Sequence, residues 1–208
     1  MFQSLVDSDL LPLTVPPHIF PSTPWRSHIV TMFESIPCGL AGATVLYGPI
    51  NMLLVHLFPP TDPYIVSPQW TSPPKGFSID FTAVFVVQKA QHTFFFLEVK
   101  PAGSFASRSA RAAVDDQMRS RFGELIDDVA IPTLHGISAL GPHLSFYTYS
   151  KDENNIHPPL ILRDPNQVND CAPAIRWDTG LLSDDDVRRL TAVANDVKEM
   201  VNDHLSQA

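Results

Sequence analysis

Residues 78–101 read Ser78-Ile79-Asp80-Phe81-Thr82-Ala83-Val84-Phe85-Val86-Val87, then Gln88-Lys89-Ala90-Gln91-His92, then Thr93-Phe94-Phe95-Phe96-Leu97-Glu98-Val99-Lys100-Pro101. Two runs rich in β-branched and aromatic residues flank a short polar link, which is the pattern of a β-hairpin. The second run is apolar on both faces through Phe94, Phe95, Phe96, Leu97 and Val99, the mark of a central buried strand. Side chains alternate along a strand, so Glu98 and Lys100 share one face while Val99 turns the other way into the core. With a three-residue turn centred on Ala90, Asp80 is predicted opposite Lys100 and diagonal to Glu98, roughly 5–8 Å away by usual cross-strand spacing. A one-residue slip would send Asp80 to the other face of the sheet.

Two carboxylates and a lysine on one patch have a specific chemical use. Carboxylate oxygens are hard ligands suited to Mg²⁺ or Mn²⁺, and magnesium keeps water positions open in such sites. A bound ion polarises a phosphoryl oxygen and lowers the pKa of a coordinated water, while a lysine orients that water or offsets developing charge. The bland alternative is a solvated strand face, where a Glu-x-Lys pair serves only to blunt a sheet edge. The apolar context weighs against it, because charges that end a buried strand require partners, ions or a cleft.

Downstream, Ser104 to Val129 is predicted as one helix, with Ser104 or Ser107 available to cap its start. Val114, Met118, Phe122, Leu125 and Val129 recur at three- and four-residue spacing as its buried stripe. Gln117 and Arg121, four residues apart, are neighbours beside that stripe. Arg108, Arg111 and Arg119 add positive charge, and an arginine fork can bind two phosphate oxygens at once.

Asp80, Glu98-x-Lys100 and the later Gln117 with Arg121 together resemble the PD-(D/E)xK nuclease-like superfamily. A wider stretch is also similar to a set of uncharacterised fungal proteins. It runs from Tyr47-Gly48-Pro49 through Ile79-Asp80-Phe81, Leu97-Glu98-Val99-Lys100 and Asp116-Gln117-Met118-Arg119 to Leu134-His135-Gly136-Ile137-Ser138, about half the chain. The resemblance implies an α/β (α+β) fold of restriction-endonuclease type, a mixed central sheet flanked by helices, here with an added C-terminal helix. It implies a Mg²⁺ or Mn²⁺ site made by Asp80, Glu98 and the Val99 carbonyl. Lys100 and Gln117 join those two carboxylates as catalytic residues, and Arg121, Arg119, Arg111 and Arg108 fall to substrate phosphate. The implied partner is nucleic acid, DNA or RNA, and the implied reaction is phosphodiester hydrolysis. Ile79 stands where the motif's proline would be. The first core helix, begun by Pro49, offers Asn51 where these enzymes often place another acid, and the nearest glutamate is Glu34 on an earlier helix. A one-metal site follows, and so does a second reading: a non-catalytic descendant used for protein interaction or nucleic-acid binding.

At 208 residues and 44% hydrophobic content the chain is expected to form one domain with a sizeable core. Its parts are an N-terminal arm and helix over 1–43, the nuclease-like core over 44–150, and a loop with a C-terminal helix over 151–208. Twenty prolines against nine glycines favour rigid connections, with clusters at Pro12 to Pro24, read as an arm, and Pro59 to Pro74, read as a loop. The net charge of −8 runs against binding of long nucleic acid, for which phosphate neutralisation supplies much of the affinity. Acids concentrate in the last third, however, while Lys100 and four arginines gather near the proposed site.

Cys38 and Cys171 fit free thiols in a reducing compartment, and neither a secretory leader nor a membrane span is apparent, so the expectation is cytosol or nucleus. Further helices are predicted at Trp25 to Ile36 and Pro49 to Phe58, and strands at Thr133 to Leu140 and Leu144 to Tyr149 around a Gly141-Pro142 turn. Ser183 caps a last helix whose docking face is Val187, Leu190, Ala194, Val197 and Val201. Asp184 to Asp186 complement the positive end of that helix, and adjacent positions prevent them from converging on a metal. The eight histidines lack zinc-type spacing, and His135 is expected to pack against the core.

Overall fold

The computed structural model describes residues 25–36, 42–62, 64–71, 82–89 and 92–207. A mixed six-stranded sheet, in the order β1-β2-β3-β4-β5-β6, forms the centre. Its strands are β1 (Ile65–Thr71), β2 (Thr82–Lys89), β3 (His92–Lys100), β4 (Thr133–Leu140), β5 (His143–Ser150) and β6 (Asn155–His157). Only β3 and β4 run parallel; every other neighbouring pair is antiparallel. A parallel pair needs a crossover connection, and α3 (Arg108–Leu125) supplies it. The other helices are α1 (Ser27–Glu34), α2 (Tyr47–Leu57) and α4 (Asp184–Gln207). The mixed sheet flanked by helices and the C-terminal helix agree with the expected fold class.

Alternation along β3 assigns the layers. Phe96 meets Phe122 of α3 with ring centres 4.9 Å apart, so the face bearing Phe96, Glu98 and Lys100 lies under α3. On the other face Phe95 meets Phe58, just past α2, at 5.4 Å, and His135 of β4 bonds Asp196 of α4. From Thr93 to Lys100 every β3 residue is buried, as a central strand covered on both faces must be. Gly136 of β4 is where α3 comes nearest: a Cβ there would stand 2.6 Å from the Phe96 ring and 3.0 Å from Phe122.

The β2–β3 register differs from the expected one. Lys89 pairs with His92, leaving two residues between the last paired positions, and an irregularity at Val87/Gln88 shifts the ladder further. Ala83 therefore sits opposite Val99 and Val84 opposite Glu98, two residues displaced from the pairing that set position 80 against Lys100. Parity is kept, so even-numbered positions of β2 from Val84 to Val86 still share the face of Glu98. Asp80, the first expected metal ligand, lies outside the described residues.

Two further expectations are corrected. Part of the second proline cluster is not loop but strand β1, which accommodates Pro68 at the sheet edge, where only every second N–H is needed by the ladder. The long helix is shorter than predicted, since single 3₁₀ turns at Ala102–Phe105 and Ile126–Asp128 flank α3. Ser107, extended in backbone, caps α3 by accepting from the Ala110 N–H at 3.3 Å.

Candidate functional site

Glu98 and Lys100 end the central strand, one above the other on the face under α3. Lys100 Nζ lies 3.4 Å from Glu98 Oε1, and the two side chains are 10% and 3% exposed. Across the sheet Glu98 is level with Val84 of β2 and Ser138 of β4. Val84 is apolar and fully buried, and Ser138 Oγ accepts from Trp177 Nε1 at 3.2 Å. Burial pushes the Glu98 carboxyl above the ordinary range; Lys100 and then Arg121 pull it back, and Glu124 adds a push upward. The ionised carboxylate therefore depends on the two cations beside it. Val99, between them, turns its side chain into the opposite core, so only its backbone can serve the site.

The crossover helix carries its polar residues on two flanks. At about 100° per residue, Gln117, Arg121 and Glu124 fall on one side of the buried Val114–Met118–Phe122 stripe, whereas Arg111, Asp115 and Arg119 fall on or beyond its other edge. The first flank faces the end of β3. Arg121 Nη1 holds Glu124 Oε2 at 2.6 Å, and Arg121 Nε is buried without an acceptor among the described residues. Gln117, one turn earlier, is exposed. Glu124 was absent from the expected site; its spacing of three from Arg121 and seven from Gln117 is the signal that places it there.

The second flank is a buried lock. Asp115, 2% exposed, accepts from Arg119 Nε at 2.9 Å, Arg176 Nη1 at 2.8 Å and the Tyr147 hydroxyl at 2.9 Å. Arg119 and Arg176 also donate to the carbonyls of Pro158 and Pro159, both at 2.7 Å. Arg111 donates to the carbonyls of Ala172 and Phe105 and to Asp170. Arg111 and Arg119, expected on substrate phosphate, are thus held by internal partners on the flank away from Glu98. Burial and the neighbouring Asp115 raise the Tyr147 phenol well above its usual range, which keeps it a donor. Arg108 is exposed at the start of α3, beside a groove it shares with Arg163 and Gln167. Of the four arginines, Arg121 is the one the structure brings to Glu98.

The platform is fixed at its end by the β4–β5 turn. Gly141 donates its N–H to the Lys100 carbonyl at 3.1 Å and adopts φ +61°, where a Cβ would stand 2.5 Å from the Ala102 side chain. His135 is buried as expected; burial holds its imidazole below the ordinary pKa against the opposing pull of Asp196, whose Oδ2 lies 2.8 Å away. Among the described residues no three His, Cys, Asp or Glu side chains converge as a metal-binding group, and no helix is long and apolar enough to cross a membrane. The chain matches no protein-family model, no curated protein and no solved structure.

Proposed function

We propose that this chain is a metal-dependent nuclease of PD-(D/E)xK type that hydrolyses phosphodiester bonds at the end of β3. The observation that carries the reading is the buried Glu98–Lys100 pair, 3.4 Å apart at the end of a strand covered on both faces, with Arg121 as the next cation. Glu98 supplies a hard oxygen donor of the kind Mg²⁺ or Mn²⁺ takes, and its raised proton affinity is what a neighbouring cation would lower. One carboxylate does not make such a site, so the fit requires Asp80 as the second donor, with the Val99 carbonyl as a third. When bound, the ion would polarise a phosphoryl oxygen and activate a water.

The protein's own groups have separable tasks. Glu98 must lose its proton to serve as a ligand; burial opposes that loss, and Lys100 and Arg121 favour it. The Lys100 ammonium, beside that carboxylate, is placed to orient water and offset negative charge as it develops on the phosphate. Arg121 brings a planar fork to a phosphodiester, and Gln117 lies one turn away to orient it. A non-catalytic binding module is the second reading, favoured by the internal commitment of Arg111 and Arg119 and by the charge of −8.

The test is digestion of single- and double-stranded DNA and RNA with Mg²⁺ or Mn²⁺, comparing the wild type with Asp80→Ala, Glu98→Gln and Lys100→Ala. Metal-dependent cleavage lost in all three supports the nuclease. Cleavage that survives them comes from a contaminant and sinks the proposal, and nucleic-acid binding without cleavage selects the module.

A further inference from the structure

Three helices bring basic side chains together on the sheet face opposite α3. The Trp25 and His56 rings meet edge to face at 5.8 Å, which sets Arg26 and His28, at the start of α1, beside the last turn of α2. Lys198 of α4 holds its Nζ 5.8 Å from the centre of the Phe58 ring, two residues past His56. Arg26 and His28 are exposed, and His56 and Lys198 are half-buried. None of the four forms an ion pair with a carboxylate among the described residues. Eight of the eleven other lysines and arginines among the described residues hold an acid, whereas Lys89, Arg108 and Lys151 share with Arg26 and Lys198 the lack of one. Burial, and after it the charges of Arg26, His28 and Lys198, lower the proton affinity of His56.

We propose that Arg26, His28, His56 and Lys198 form a binding site for a phosphate group, free or esterified. A lone carboxylate would cancel one positive charge, whereas a free phosphate or phosphomonoester near pH 7 carries about −1.5 to −2 and offers three acceptor oxygens, and successive phosphodiesters supply one charge each. The cluster supplies matching donors: a guanidinium fork, an ammonium and two imidazole N–H groups. The site is distinct from the one at Glu98. Phe58 packs on Phe95, near the start of β3, so the cluster is roughly 17 Å from Lys100 by strand rise and on the opposite face. It stands whether or not the chain cuts nucleic acid.

The test follows the His56 imidazole of the full-length chain by NMR through a pH titration, in phosphate and in chloride at matched ionic strength. The groups that act on it are Arg26 and His28 from α1, Lys198 from α4 and the Trp25 ring. A bound anion favours the charged imidazole, so phosphate should raise the His56 pKa by about half a unit or more. The rise should disappear in Arg26→Gln and in Lys198→Gln, and persist in Arg188→Gln, which removes one positive charge elsewhere on α4. Parallel titrations with a nucleoside monophosphate and a short single-stranded oligonucleotide separate a free anion from a phosphate ester. The proposal fails if His56 titrates identically in chloride and with all three phosphate sources, or if the rise survives both substitutions.

Discussion

Replacing Lys100 with methionine isolates the electrostatics of the β3 end. At 3.4 Å and an effective dielectric of about 20, the pair with Glu98 is worth about 5 kcal/mol of Coulomb energy. The loss on substitution is smaller, because the stranded carboxylate can take up a proton. For a carboxyl of ordinary pKa 4.5, that uptake at pH 7 costs about 3.4 kcal/mol, which caps the damage near the 3–5 kcal/mol typical of a broken buried pair. The sign follows from burial. The folded pKa of Glu98 lies above its unfolded value, so the folded state binds this proton more tightly, and stability falls as pH rises from about 4.5 until the folded pKa is passed. Without Lys100 the folded pKa moves higher still and the decline extends further. Urea denaturation of wild type and Lys100→Met at pH 5 and pH 8 should show a deficit of less than about 1 kcal/mol at the lower pH and a larger one at the higher. Adding Glu98→Gln should abolish that growth. A deficit equal at the two pH values, or one that still grows in the double variant, would refute the assignment of Glu98 as the charge that Lys100 sustains.

Asp115→Asn should cost about 3–5 kcal/mol in guanidinium denaturation, since Arg119 and Arg176 lose the charge that holds them in a buried site; a cost below about 1 kcal/mol would mean that the lock is dispensable. Gly136→Ala should cost about 1–3 kcal/mol and lower the thermal midpoint, because its Cβ meets the Phe96 and Phe122 rings, and an unchanged midpoint would show that α3 yields freely there.

The apolar patterns carried most of the fold. All five residues assigned to the docking face of the last helix are buried in α4, and Ser183 Oγ accepts from the Asp186 N–H at 3.2 Å as a cap should. The Phe94–Val99 run was legible as a central strand because no edge strand could bury both of its faces. What the sequence withheld were features made by partners far along the chain. The hairpin register depended on an irregularity at Val87/Gln88 that has no glycine to announce it. Strand β1 hid behind Pro68, which reads as a breaker until its edge position is known. Arg111 and Arg119 looked equivalent to Arg121, since their partners at Pro158, Asp170 and Ala172 are irregular segments without periodicity. The Arg26–His56–Lys198 cluster is likewise invisible along the chain, because three separate helices contribute to it.

The hydrogen bond from Gly141 to the Lys100 carbonyl ties the tolerance of the candidate site to a turn that contributes no chemistry. A strand end would ordinarily fray and let its terminal side chains wander; here the last residue of β3 is stitched to the β4–β5 corner, and that corner admits only a residue without a side chain. Aim at the Glu98–Lys100 platform is therefore set from two directions, by α3 pressing on the sheet and by a glycine holding its rim. A side chain at position 141 would therefore disturb the aim of Lys100 without touching the lysine itself.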